Sequence, residues 1–149
     1  VRRALAPLAA DPRVRAVIAA LAAEGAEVRF VGGCVRDALV GRPLGDIDLA
    51  TPDPPETVVR LLGRAGLKAA PTGIAHGTIT AVAGGRGFEV TTLRRDVRTF
   101  GRRAEVAFTD DWRADAARRD FTFNAMSANA GGDLHDYFGG RSDLAAGRV

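Results

Sequence analysis

Residues 30–51 read FVGGCVRDALVGRPLGDIDLAT. An apolar run ends in Gly32-Gly33, an amphipathic segment follows, and a Gly/Pro turn leads into Asp46-Ile47-Asp48 within a second apolar run. This punctuation predicts strand, tight glycine turn, short helix, turn, strand. A glycine turn that opens a helix presents backbone N–H groups and a positive dipole end, which suits a phosphate. Two aspartates at i and i+2 on a strand share a face, with Cα atoms roughly 6.7 Å apart. Carboxylates so placed can converge on two divalent ions about 3.5–4 Å apart, the geometry of two-metal phosphoryl or nucleotidyl transfer. Alone, either Asp-x-Asp or Gly-Gly usually marks only a solvated turn. Their occurrence in one supersecondary unit gives the pair its weight.

The order GGxVRD, LxG, DxDxAT resembles the signature of the polymerase-β-like nucleotidyltransferase head of class II CCA-adding enzymes and bacterial poly(A) polymerases. Later blocks extend the resemblance: HGT followed by FEVTTLRRD at 88–96, ARRDFTFNAM at 117–126, and LHDYFGGRSDLAAGRV at 134–149. It covers the chain from about Phe30 to Val149. What it implies is an α/β (α+β) fold: a small mixed β-sheet flanked by helices, with the site at one edge of the sheet. Residues 1–149 are then one head domain, with a helical segment at 1–25 and the start of a hinge to a neck at 134–149.

Composition sets wider bounds. With 149 residues, 46% hydrophobic and 26% charged, the chain suits one soluble domain with a real core. No apolar run approaches the ~20 residues of a membrane span, and the N-terminus lacks a signal-peptide core. The single cysteine, Cys34, excludes an internal disulfide framework and a zinc cluster. These features predict a cytoplasmic protein without membrane association. The net charge of +3 is concentrated in residues 86–119, where nine arginines face six acids. A basic stretch of this kind can follow an RNA backbone or bind a nucleoside triphosphate. Twenty of the twenty-one basic residues are arginine, so part of the signal is compositional.

Along the chain, residues 1–25 predict a helix broken by Pro7 and Pro12, with Val14, Val17, Ile18 and Leu21 at helical spacing. Glu27–Val31 is the first strand. The short helix runs from Cys34 to Val40 and ends at Gly41. Arg36 in its first turn opposes the dipole, which makes sense if an anion is held nearby. A surface salt bridge with Asp37 is the plainer alternative. Cys34 reads as a small buried residue. Pro54, Pro55 and Glu56 start a helix with Val58, Val59, Leu61 and Leu62 as its apolar face. Strands follow at 67–70, 78–82 and 88–93, with a hairpin turn at 84–87 and His76-Gly77 in a turn outside the site. In FEVTTL, Phe88, Val90 and Thr92 share one face, and Glu89, Thr91 and Leu93 the other. Glu89 is either an exposed strand residue or, if its strand lies beside Asp46 and Asp48, a third carboxylate. Residues 95–110 show no convincing period and predict a long arginine-rich loop. Asp110-Asp111 cap a helix in which Asp115 reaches Arg118 and Arg119 by helical spacing.

The resemblance assigns roles where spacing leaves them open. It implies that Asp46, Asp48 and Glu89 are the catalytic carboxylates, with Asp46 and Asp48 holding two Mg²⁺ ions. Gly32, Gly33 and Arg36 would bind the triphosphate. Arg119 and Asp120 would contact the nucleotide and its ribose, with Asn124 supporting the turn and Arg118 structural. The 95–110 loop would be flexible and near the site. The implied reaction transfers CMP or AMP from CTP or ATP to a tRNA 3′ end. Poly(A) addition by the same head is the nearest alternative, and a non-catalytic RNA-binding module is the alternative from another class. A Rossmann dinucleotide binder fits poorly, because the turn is GGxVRD and not GxGxxG.

Overall fold

The computed structural model describes residues 1–100, 103–119 and 121–147. The N-terminal segment forms α1 (Arg2–Leu5), a 3₁₀ turn (Ala6–Ala9) and α2 (Pro12–Leu21), three pieces where two are expected. Pro7 lies at the start of the 3₁₀ turn. Asp11 caps α2 by accepting from Arg13 N at 2.9 Å, and Pro12 holds its first position. Then come β1 (Arg29–Val31), α3 (Gly33–Leu39), β2 (Asp48–Thr51) and α4 (Pro55–Arg64). The remaining elements are β3 (Lys68–Gly73), β4 (Thr78–Ala83), β5 (Arg86–Thr92), β6 (Arg94–Phe100), β7 (Arg103–Phe108), α5 (Trp112–Ala117), β8 (Ser127–Ala128), β9 (Leu134–His135) and α6 (Gly140–Ala145).

Seven strands form one mixed sheet in the order β3-β4-β5-β2-β1-β8-β9. The β2–β5 pair is parallel and the other pairs are antiparallel. Register sorts the side chains onto two faces. Phe30, Leu49, Val90 and Ile79 are cross-strand partners in sequence across β1, β2, β5 and β4. They lie in the main core with Val14, Val17 and Leu21 of α2 and Val58 and Leu62 of α4. Each such side chain, removed from water, contributes about 1.5–3 kcal/mol. The neighbouring register carries Val31, Asp48, Glu89 and Thr80 on the opposite face. That face is only partly covered, by a small cluster of Val31, Ala50 and Leu93 under Trp112. The sheet therefore has one face sealed by α2 and α4 and one face available for chemistry.

Several expectations change. Where a loop is expected at 95–110, β6 and β7 pair as a two-stranded antiparallel ribbon; residues 101 and 102 lie outside the described residues. Asp46 precedes β2, so the two aspartates do not share a strand. Asp48 on β2 and Glu89 on β5 sit in the middle of the sheet and not at an edge. Val59 faces solvent at 39% exposure, while Leu93 is buried. The β4–β5 hairpin closes through Gly84-Gly85, whose φ values of 55° and 79° suit a primed turn. Among the described residues no helix is long and apolar enough to cross a membrane.

Candidate active site

Parallel pairing sets Asp48 directly beside Glu89. Both side chains leave the open face, and with Asp46, Ile47, Thr80 and Gly87 they line a polar cavity of about 290 Å³. Asp48 is half-buried, whereas Asp46 and Glu89 are exposed. Burial pushes the Asp48 carboxyl above its usual range, and the negative charges of Glu89 and Asp46 push it further; Arg119 opposes them. A larger cavity of about 360 Å³ between α2 and α4 is walled mainly by alanines and offers no comparable chemistry.

The donor set is made of hard oxygen ligands, which suits a divalent cation of the Mg²⁺ type. Among the described residues, no three His, Cys, Asp or Glu side chains converge closely enough to hold an ion as they stand. Asp48 and Glu89 are in place by register, and Asp46 lines the same cavity from the irregular segment before β2. The mutual repulsion registered at Asp48 is the condition a cation relieves. On that observation the residues fit a divalent metal.

The glycine turn lies where β1 meets α3. Gly32 has φ 75° and ψ −145°, a region essentially reserved for glycine. At Gly33 a Cβ would come within 3.1 Å of Arg36 Nη2, so the guanidinium folds back over the turn. Arg36 Nε donates to Asp37 Oδ1 and Nη1 to Asn124 Oδ1, each at 3.1 Å. The plain salt bridge to Asp37 is thus present, together with a second bond to a distant residue. The Asn124 side chain thus orients Arg36.

Arg119 is held from the helix that precedes it, α5. Asp115, 3% exposed, accepts Arg119 Nε at 3.1 Å and the backbone N–H of Arg94 at 2.9 Å. Arg118 turns instead toward Asp96, with 3.6 Å between Nε and Oδ1. Burial, then the charges of Arg118 and Arg119, lower the Arg94 pKa. Arg94 Nε and Arg118 Nε are buried without hydrogen-bond partners. This corner carries positive charge in surplus, and the Arg119 charge is felt at Asp48. Asp120 lies outside the described residues. Phe121 takes φ 61°, unusual for a bulky residue.

Sequence reasoning missed what seats α5. Arg29, 5% exposed, lies over the Trp112 ring at 4.1 Å and donates to Ser127 Oγ at 3.2 Å and Tyr137 Oη at 3.0 Å. Its ion pair with Glu27 completes the set. Trp112 opens the helix that carries Asp115 and leads to Arg119. A charged residue inside a short apolar strand was the available signal.

Cys34 is buried, and desolvation pushes its thiol up to about 11. It packs as a small apolar residue, as expected.

Residues 28–149 match the family described as the Poly A polymerase head domain. The zebrafish (Danio rerio) protein named CCA tRNA nucleotidyltransferase 1, mitochondrial, is 48% identical over 124 residues, covering 83% of this chain and 29% of its own. The crystal structure of the Bacillus stearothermophilus CCA-adding enzyme in complex with CTP superposes with a TM-score of 0.77 at 37% identity, covering 91% of this chain and 32% of its own. A tRNA nucleotidyltransferase complexed with a primer tRNA and an incoming ATP analog gives a TM-score of 0.66 at 31% identity, covering 86% and 36%. The chain thus spans about a third of the length of these relatives.

Proposed function

The chain belongs to the Poly A polymerase head domain family, and from that premise we propose that it is the nucleotidyl-transferring head of a CCA tRNA nucleotidyltransferase. The reaction is attack of a tRNA 3′ hydroxyl on the α-phosphorus of CTP or ATP. A new phosphodiester forms and pyrophosphate leaves. The observation that carries the reading is the side-by-side register of Asp48 and Glu89, with Asp46 on the same cavity. The names of the similar proteins favour CCA addition over poly(A) addition. The cluster of acids and the surplus arginines favour a catalyst over a passive RNA-binding module.

The fold family implies use of a divalent metal. In this reading it is Mg²⁺, two ions, held by Asp46 and Asp48 with Glu89 completing the site. When bound, the metal neutralises triphosphate charge and lowers the pKa of the attacking hydroxyl. The protein's own groups bind and orient. The Gly33 N–H and the Arg36 guanidinium, steadied by Asn124, take the triphosphate. Gly32 permits the backbone bend that brings them there. Arg119, fixed by Asp115, takes the nucleotide together with Asp120. We read residues 1–149 as one head, with 1–25 a helical N-terminal segment and 134–149 the start of a hinge. We read its compartment as the cytoplasm, on composition alone.

Calorimetry with Mg²⁺-CTP and Mg²⁺-ATP, and primer extension on tRNA lacking its CCA end, test the reading. Residues 1–149 should bind both nucleotides with little discrimination and extend tRNA poorly. A surplus of only three positive charges neutralises few phosphates, so tRNA binding should fade at moderate salt. Absence of nucleotide binding, or binding indifferent to Asp46→Asn and Asp48→Asn, would overturn it. A strong preference for CTP over ATP would show that base selection lies within these residues.

A further inference from the structure

We propose that Arg86 is a positioning residue that holds the Asp46 segment against the strand carrying Glu89, and so sets whether the carboxylates can close on a cation. The inference rests on the nucleotidyl-transfer reading of those carboxylates. Asp48 and Glu89 are fixed by strand register, but Asp46 is exposed and precedes β2. Its neighbour Gly45 offers a backbone carbonyl, and Arg86 Nη2 donates to it at 3.1 Å.

The other contacts of Arg86 show which bond matters. Its Nη1 reaches Asp11 Oδ2 at 3.4 Å. Asp11 is already held by Arg13 through four shorter bonds of 2.7–3.1 Å, one from the backbone N–H and three from the guanidinium. Asp11 therefore does not need Arg86. The shorter bond of Arg86 is the one to Gly45. Its guanidinium also lies 5.0 Å from the Phe88 ring centre, over a core residue that cannot shift easily.

The position of Arg86 is itself fixed. It is the first residue of β5, paired with Ala83 across the Gly84-Gly85 turn, and Glu89 follows three residues later on the same strand. A single rigid hairpin arm thus carries one carboxylate and clamps the segment that delivers another. Removing the clamp frees Asp46 without altering Asp46, Asp48 or Glu89 themselves.

The test is Mn²⁺ binding to the 149-residue chain, followed by electron paramagnetic resonance of the free ion, with thermal unfolding measured in parallel. Arg86→Met should weaken Mn²⁺ binding by about tenfold, the lower range for losing a group that orients a metal ligand. Arg13→Met is the control: it breaks the same Asp11 cluster but does not touch Gly45, and should change Mn²⁺ affinity by less than about twofold on the same scale. Arg86→Lys retains the charge yet cannot span Asp11 and Gly45 together, so it should fall between; it also serves if Arg86→Met fails to fold. Unchanged affinity in a folded Arg86 variant would overturn the proposal, as would equal losses in the Arg86 and Arg13 variants. No Mn²⁺ binding by the unmodified chain would instead overturn the carboxylate reading itself.

Discussion

Replacing Asp48 by Asn should make the protein more stable while abolishing the metal binding proposed for it. Burial and neighbouring negative charge both act against the ionised carboxylate. Asn removes the charge at nearly constant shape. Asp48 and Glu89 are in register on adjacent strands, whose backbones lie roughly 5 Å apart. At that distance two unit charges repel by about 3 kcal/mol at an effective dielectric of about 20, and by about 1 kcal/mol in bulk water. Glu89 is exposed and Arg119 offsets part of the repulsion, so the lower figure applies. A gain of about 1 kcal/mol raises the melting temperature of a domain this size by about 2–4 °C. The pH sense follows from the raised pKa. The native state holds its proton more tightly than the unfolded chain, whose reference value is 3.8. Native stability therefore falls as pH rises from 3.8 through the folded pKa, and the advantage of the Asn variant opens above that window. The assay is thermal denaturation by circular dichroism in chelator and low salt at neutral pH, repeated with Mg²⁺. Mg²⁺ should raise the melting temperature of the unmodified protein and leave Asp48→Asn unmoved. A lower or unchanged melting temperature for Asp48→Asn in chelator would refute the picture of carboxylates held in mutual repulsion.

Other outcomes follow from particular contacts. Asn124→Ala removes the acceptor that steadies Arg36; calorimetry should show CTP affinity reduced about fivefold, the equivalent of about 1 kcal/mol for one hydrogen bond. A methyl group at Gly140 collides with the Thr122 carbonyl and the Phe123 backbone, which cannot yield; Gly140→Ala should cost about 3 kcal/mol in urea unfolding. Cys34, with its thiol pushed up to about 11, should react with a disulfide reagent at pH 8 only when the protein unfolds. Glu89→Gln removes the same repulsion from the other side and should raise urea-unfolding stability by up to about 1 kcal/mol, while weakening Mn²⁺ binding.

The local features were legible because their causes are local. Gly32-Gly33 forecasts a turn, and it occurs with a backbone angle that glycine alone tolerates readily. The alternation of Phe88, Val90 and Thr92 forecasts a half-buried strand, and all three are buried. That Glu89 stands beside Asp48 was not legible from spacing; the family signature supplied it, and the parallel register bears out the adjacency. The β6–β7 ribbon was hidden because it pairs only with itself, outside the main sheet. Its residues carry little of the apolar alternation that one sealed face would impose. Arg36 with Asn124 and Arg29 with Tyr137 bridge 88 and 108 positions, and no periodicity encodes such pairs. The apolar run that contains Asp46 predicts a strand there, but the ladder begins only at Asp48.

The parallel pair of β2 and β5 also sets an order of assembly. β4 and β5 meet through a two-residue turn, a local event on the microsecond scale. Asp48 and Glu89 are 41 positions apart, and α4, β3 and β4 intervene before β5 can align with β2. Closing that longer loop costs about 2.5 kcal/mol more in chain entropy than closing the hairpin, at about 0.6 kcal/mol for each doubling of length. The hairpin is therefore expected to be native-like while β2 is still searching for it. Rapid-mixing refolding, followed through hairpin amide protection and through Mn²⁺ uptake, should show protection first and metal capacity last, so that an arrested folding intermediate has strands but no chemistry.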